Sequence, residues 1–238
     1  GIGGFALAAS WLGIETIGFC EIDEFCRKVL EKNFPGVPVF EDVKDFEGNE
    51  CGEFEILTAG YPCQPFSYAG ERKGPGDHRH VWPEVLRIIE KQKPRWILCE
   101  NVVGHATMGL DEVLFDLEGR GYSAQSFIIP ACAVGAGHVR ERVWILANAN
   151  CAGLEGFAGN VTVWSESGWE LKSSPGSASP GYLFDGGKPG KGKSGVCRIV
   201  DGVPNYVDRI TSLGNAIVPQ VAFEILRTLV QTEKGGAA

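Results

Sequence analysis

The chain has 238 residues, 44% of them hydrophobic and 22% charged, enough apolar material for one domain with a buried core and a small insertion. A formal net charge of -8 excludes the overall basic balance of a generic nucleic-acid binder, so any contact with nucleic acid has to be local. Eight cysteines without a Cys-x-x-Cys spacing, and no apolar run of the length of a signal peptide or membrane span, point to reduced thiols, a cytoplasmic location and no membrane partner.

Residues 1–147 alternate short apolar runs with amphipathic stretches, the pattern of βαβ units around a mostly parallel sheet, hence an α/β fold. The spacing predicts a helix over 5–12 ended by Gly13, a strand over 16–20, and a helix running through Asn33. Asp23 is placed to cap that helix, with Phe25, Val29 and Leu30 on its inner face. Strands are expected near Val39-Phe40 and over 56–59. Pro83 suits the first turn of a helix that carries Val85, Leu86, Ile88 and Ile89 inward, and a strand follows over 96–99. A helix over 111–117 and strands over 126–129 and 143–147, the last two a candidate antiparallel pair, complete the sheet. From 148 to 197 glycine, serine and proline dominate and periodicity is lost, which reads as a linker or small insertion. Residues 198–238 return to structure, with an apolar helix over 218–229.

Three motifs invite chemistry. Gly1-Ile2-Gly3-Gly4-Phe5-Ala6 fits G-x-G-x-x-A, with Glu21 at the end of the following strand. Glycines there let a ligand approach the backbone at a helix start, and the acid is suited to ribose hydroxyls; NAD and other adenosine cofactors fit equally. Asp42, after the next strand, is suited to an adenine amino group or to capping the turn at Val43. Cys63 lies in Gly60-Tyr61-Pro62-Cys63-Gln64-Pro65-Phe66-Ser67, where two prolines stiffen the backbone and bias Tyr61 and Gln64 toward extended geometry. That presentation suits a nucleophile, whereas an isolated cysteine is more commonly a buried structural one. Residues 187–194 also satisfy the P-loop pattern, but the following Gly195-Val196-Cys197-Arg198 does not open a helix, and nucleotide triphosphate binding is set aside. Local cations, each equally a solvated surface when taken alone, are Arg72-Lys73, His78-Arg79-His80, Arg140, Arg142 and the Lys188, Lys191, Lys193 cluster.

Taken together and in order, these segments resemble the cytosine-C5 DNA methyltransferases that use S-adenosyl-L-methionine. Gly1, Gly3, Gly4 and Phe5 look like that family's cofactor loop, Glu21 its ribose acid, and Asp42-Val43 its adenine contact. The segment from Gly60 to Ser67 resembles its catalytic loop, Glu100-Asn101-Val102 its Glu-Asn-Val strand end, and Arg140-Glu141-Arg142 its Arg-x-Arg. Leu213-Gly214-Asn215-Ala216-Ile217-Val218-Pro219 resembles its C-terminal cofactor-side motif. The resemblance implies a Rossmann-like methyltransferase fold with a short target-recognition insertion over 148–197 between a catalytic and cofactor-binding core at 1–147 and a returning segment at 198–238. Cys63, Glu100, Arg140 and Arg142 are then the catalytic set. Ile22, Pro62, Trp82, Asn215 and Ala216 join the cofactor residues, and Gln64, Ser67, Asn101 and Val102 face the substrate base. No metal is implied.

The residue types suit that chemistry. Cytosine C5 is a poor nucleophile until a group adds at C6, and a thiolate is both a strong nucleophile for that addition and a competent leaving group afterwards. The addition pushes electron density toward N3, where an acid such as Glu100 is needed, with its pKa raised if Trp96, Leu98 and Val102 bury it. Arg142 suits the cytosine O2, and Arg140 the catalytic loop or a phosphate. The partner implied is double-stranded DNA with the target base flipped out, the stretch 67–76 closing over it, read by a monomer. Nothing in the sequence speaks to a cognate restriction endonuclease. An NAD-dependent oxidoreductase shares the glycine fingerprint but leaves the Pro-Cys-Gln and Glu-Asn-Val segments unexplained. A catalytically inactive DNA-binding fragment is the other alternative, because the chain starts at Gly1 without the strand that precedes the glycine loop in the family. The expectation is that this segment alone is destabilised and binds cofactor weakly. His138 also stands where the family's Gln-x-Arg-x-Arg has glutamine.

Overall fold

A computed structural model describes residues 1–62, 81–149 and 206–235. In chain order these form α1 (Gly4–Ser10), β1 (Phe19–Cys20), α2 (Glu24–Asn33), β2 (Val39–Phe40), β3 (Ile56–Ala59), α3 (Trp82–Gln92), β4 (Trp96–Val102), α4 (Leu110–Glu118), β5 (Ser123–Pro130), β6 (Glu141–Asn148), α5 (Tyr206–Asn215) and α6 (Pro219–Gly235). The Pro-Cys-Gln loop from Cys63 onward, the P-loop-like run and the whole expected recognition insertion lie outside the described residues.

Local chemistry accounts for most boundaries. Asp23 caps α2 by accepting the Cys26 N–H at 2.8 Å, as expected, although Cys26 and Leu30 rather than Phe25 and Val29 are its fully buried residues. Pro83 sits in the first turn of α3, whose Val85, Leu86, Ile88 and Ile89 are buried. α1 ends two residues earlier than expected, because the Ile14 N–H returns to the Ala9 carbonyl and the Gly13 N–H to the Ser10 carbonyl around a left-handed Gly13. β1 is shorter than the expected 16–20 because its parallel partner β2 offers only Val39 and Phe40 after Pro38. α5 was not foreseen in the sequence pattern.

Two sheets result. β1 and β2 form a parallel pair, and the second sheet runs in the order β3-β4-β6-β5. β3 and β4 are parallel, and β6 is antiparallel to both of its neighbours, so the sheet is mixed rather than purely parallel. The expected antiparallel pair is β5 with β6.

β4 reads as a continuous apolar run because both its faces are covered. Ile97 and Cys99 pack with Val143, Ile145 and Ala147 against Val85, Ile89, Val113 and Leu117 of α3 and α4. Trp96 and Leu98 pack with Trp144 and Leu146 against α1 and α6, through Ala8, Ala9, Val221, Ala222, Leu226 and Leu229. The stretch Val207–Glu233 is long and apolar. Here it is divided between α5 and α6, and the inner side of α6 belongs to this core.

Candidate active site

β3 and β4 are parallel with Ala59 opposite Cys99, so Gly60 leaves β3 beside Glu100. A Cβ on Gly60 would stand 3.8 Å from Glu100 Oε2. Glu100 follows Trp96 and Leu98 on the face of β4 that packs on α1, and it is 7% exposed. Its ladder partner is Trp144, and Arg142, two residues away on β6, reaches it diagonally with Nε 3.0 Å from Oε1. The buried carboxylate oxygen is thereby held against the guanidinium. Burial pushes the Glu100 carboxyl above its ordinary range, and the nearby Arg142 and Arg140 charges only partly oppose it.

Arg140 does something the sequence did not reveal. It adopts a left-handed φ of 30°, rare for a non-glycine residue, and its Nη2 donates to the carbonyls of Gly214 and Ala216, both at 2.7 Å. The segment carrying Asn215 and Ala216 is thereby tied to the Arg-x-Arg strand. Ser212 adds a second tie, its Oγ 3.4 Å from Cys26 Sγ on α2. Asn215 is exposed and Ala216 half-buried.

Asn101 is 4% exposed. Its Nδ2 donates to the Tyr61 carbonyl at 3.1 Å and its Oδ1 accepts the Val102 N–H at 2.9 Å. The Tyr61 hydroxyl lies 3.1 Å from His105 Nε2, and its ring lies 5.2 Å from that of Trp82. The residue that precedes Pro62 is therefore held through its backbone by the strand that bears the acid and through its side chain by the turn that follows that strand. Trp82 is buried in this cluster and its Nε1 donates to Asp116 Oδ2 at 2.8 Å. Pro62 and Val102 are exposed. Cys63, Gln64 and Ser67 lie outside the described residues. Tyr61 and His105 escaped the sequence reading, although Tyr61 stands inside the quoted motif; nothing local marks His105 as its partner.

Of the residues that the family resemblance assigns to the cofactor, Glu21, Ile22, Asp42 and Val43 follow the carboxyl ends of β1 and β2, where ligands of parallel sheets bind. Gly3 has a left-handed φ of 89° at the start of α1, and a Cβ there would stand 2.6 Å from the Phe34 ring. At Gly4 a Cβ would meet Ile217 at 2.5 Å, so this glycine lets α1 close on the C-terminal motif. Phe5 is half-buried, its ring edge-on to Trp144 at 6.0 Å. Glu21 accepts the Asp23 N–H at 2.8 Å through Oε1 and contacts the amino group of Gly1 through Oε2. Ile22 is 73% exposed. Arg27 fixes both residues through the carbonyls of Glu21 at 3.2 Å and Ile22 at 2.6 Å. Asp42 Oδ1 accepts the Lys44 N–H at 3.0 Å, its turn-capping role, and Val43 is half-buried beside it. An acid for a ribose, an exposed apolar side chain for a ring face and a second acid just after the neighbouring strand are a donor set that fits an adenosine cofactor.

The C-5 cytosine-specific DNA methylase family matches residues 1–173. The chain is 35% identical to the type II methyltransferase M2.BsuMI of Bacillus subtilis strain 168 over 160 residues, covering 62% of this chain and 40% of that protein. It is 30% identical to the type II methyltransferase M.HhaI of Haemophilus parahaemolyticus over 162 residues, covering 66% of this chain and 49% of that one. The chain thus spans half or less of the length of these curated relatives. Among solved structures, the S. pombe Dnmt2 methyltransferase matches with a TM-score of 0.57 at 21% identity, over 70% of this chain and 55% of that chain, a likeness of fold.

Proposed function

This chain belongs to the C-5 cytosine-specific DNA methylase family, and from that premise we propose that the protein methylates C5 of a flipped cytosine in double-stranded DNA, with Cys63 as nucleophile. The observation that carries the proposal is Glu100: a buried acid paired with Arg142 and beside the strand that leads into Pro62 and Cys63.

The Cys63 thiolate adds to C6, forming the S–C6 bond as the C5–C6 double bond opens toward N3. Glu100, whose pKa burial raises, is the acid suited to give N3 its proton, and Arg142 carries positive charge for the cytosine O2. The residues suited to hold S-adenosyl-L-methionine are Gly1, Gly3, Gly4, Phe5, Glu21, Ile22, Asp42, Val43, Pro62, Trp82, Asn215 and Ala216, and when bound it supplies an electrophilic methyl group. Cys63 is released when the S–C6 bond breaks as the C5 proton leaves to water. Asn101 and His105, through Tyr61, fix where the Cys63 loop begins relative to Glu100. Arg140 serves as a positioning residue for the cofactor-side segment rather than a free cation for phosphate. Gln64, Ser67 and Val102 are proposed to face the base, and site choice to reside in residues 148–197.

The test is transfer of a labelled methyl group from S-adenosyl-L-methionine to duplex DNA by the full-length protein. Cys63→Ser is expected to reduce it by at least about 10³-fold while leaving cofactor affinity within about twofold. Retained turnover in Cys63→Ser would remove the nucleophile assignment.

A further inference from the structure

We propose that Arg87, on α3, is a positioning residue for the adenine end of the cofactor, acting by clamping the loop that carries Asp42 and Val43. The inference rests on the reading that this loop meets adenine, and it adds the element that fixes the loop's shape. Residues 42–48 have no ladder partner to set their geometry. Instead the Arg87 guanidinium gathers the loop's carbonyls: Nη2 donates to Val43 and Phe46, both at 2.8 Å, and to Lys44 at 3.5 Å. Glu84, one turn earlier on α3, orients the guanidinium through Nε at 2.8 Å, and Glu47 pairs with Nη1 at 3.2 Å.

Neighbours on α3 finish the clamp. Gln92 Nε2 donates to the Glu47 carbonyl at 3.1 Å, and Lys91 pairs with the Glu47 carboxylate. Gly48 is left-handed with φ 86°, and a Cβ there would stand 2.7 Å from Gln92 Cγ, so the loop lies directly on the helix. Phe46 closes the other side against Phe40 at 4.7 Å. A planar fork of donors that meets several carbonyls at once is something guanidinium does and ammonium does not. With the Val43 carbonyl taken by Arg87 and Asp42 Oδ1 taken by Lys44 N–H, Asp42 Oδ2 is the oxygen left to accept from a ligand's amino group.

A positioning role makes a claim that a purely structural one does not. Asp42 should favour a 6-amino purine over a 6-oxo purine, whose oxygen would face a carboxylate oxygen, and this preference should depend on Arg87. The experiment is calorimetric binding of S-adenosylhomocysteine and S-inosylhomocysteine to the full-length protein, its Arg87→Lys and its Glu84→Ala variants, each with its melting temperature. The wild type is expected to prefer the adenosyl ligand by about tenfold or more, the preference shrinking to about twofold in Arg87→Lys and to an intermediate value in Glu84→Ala. Glu84→Ala removes only a half-buried partner of Arg87 and decides the matter if Arg87→Lys does not fold. Folded variants that keep the wild-type ratio overturn the positioning role while leaving the adenine reading intact. A wild type that binds both ligands alike overturns the adenine reading, and the role of Arg87 with it.

Discussion

Glu100 and Glu21 are both acids at the carboxyl end of a parallel strand, yet they are held by different physics. Glu100 lies near the end of a strand that pairs with β6 over seven residues and with β3 over its first four, and the side chains leading to it are wholly buried. Glu21 follows a strand of two residues paired with β2 alone, and its surroundings are fixed by Arg27, by Asp23 and by its own contacts. On the base side the packed core sets the geometry, so moving the acid means disrupting the sheet. On the cofactor side a few charged side chains gripping carbonyls set it, so single substitutions should tune binding without unfolding the protein.

The largest effect expected from this contrast is on chemistry. Glu100→Gln should lower kcat by about 10²–10³-fold with cofactor affinity within about twofold, read by single-turnover methyl transfer and calorimetry. Equal losses in both would mean that the acid is not confined to the base side. Next, Leu98→Ala should cost about 2–5 kcal/mol in urea unfolding, because it opens a cavity in a strand covered on both faces. Phe40→Ala, in the half-buried β2, should cost about 1–2 kcal/mol and register mainly as weaker cofactor binding. If the two costs are equal, the contrast between the halves is lost.

The same contrast explains what could be read in the sequence. β4 and α3 were legible because their apolar spacing is what the core enforces: Val85, Leu86, Ile88 and Ile89 are all buried. Asp23 was legible because capping is local chemistry. The site's acids and arginines were found through their motifs, but not their partners. Arg27, Arg87, His105 and the carbonyl-gripping role of Arg140 depend on contacts between residues up to 76 positions apart, which neither periodicity nor spacing encodes. α5 was missed because Tyr206–Asn215 combines apolar residues with Ser212, Gly214 and Asn215 and follows a glycine-rich stretch.

Smaller effects probe the cofactor side. Arg27→Met removes the two carbonyl contacts behind Glu21 and Ile22, and should weaken cofactor binding about three- to tenfold with kcat at saturation unchanged. A changed kcat would show that the two halves are coupled through this residue.

The smallest expected effect is the pH dependence of stability from Glu100. Burial raises its pKa in the folded state, so its stabilising contribution is fully present below the unfolded carboxylate pKa and is lost as pH rises through the folded value. Glu100→Gln cannot ionise and should therefore gain in Tm relative to the wild type as pH rises from about 4 to about 7. Tm curves that stay parallel would mean that Arg142 and Arg140 fully offset the burial.

The most direct measurement is covalent trapping. The full-length protein is incubated with S-adenosyl-L-methionine and duplex DNA carrying 5-fluorocytosine, whose C5 fluorine blocks release, and the adduct is digested and mapped by mass spectrometry. The expected result is a nucleotide on the peptide containing Cys63, absent from Cys63→Ser and strongly reduced in Glu100→Gln. A folded, cofactor-binding protein that methylates duplexes with unmodified cytosine but forms no adduct at Cys63 would contradict the account.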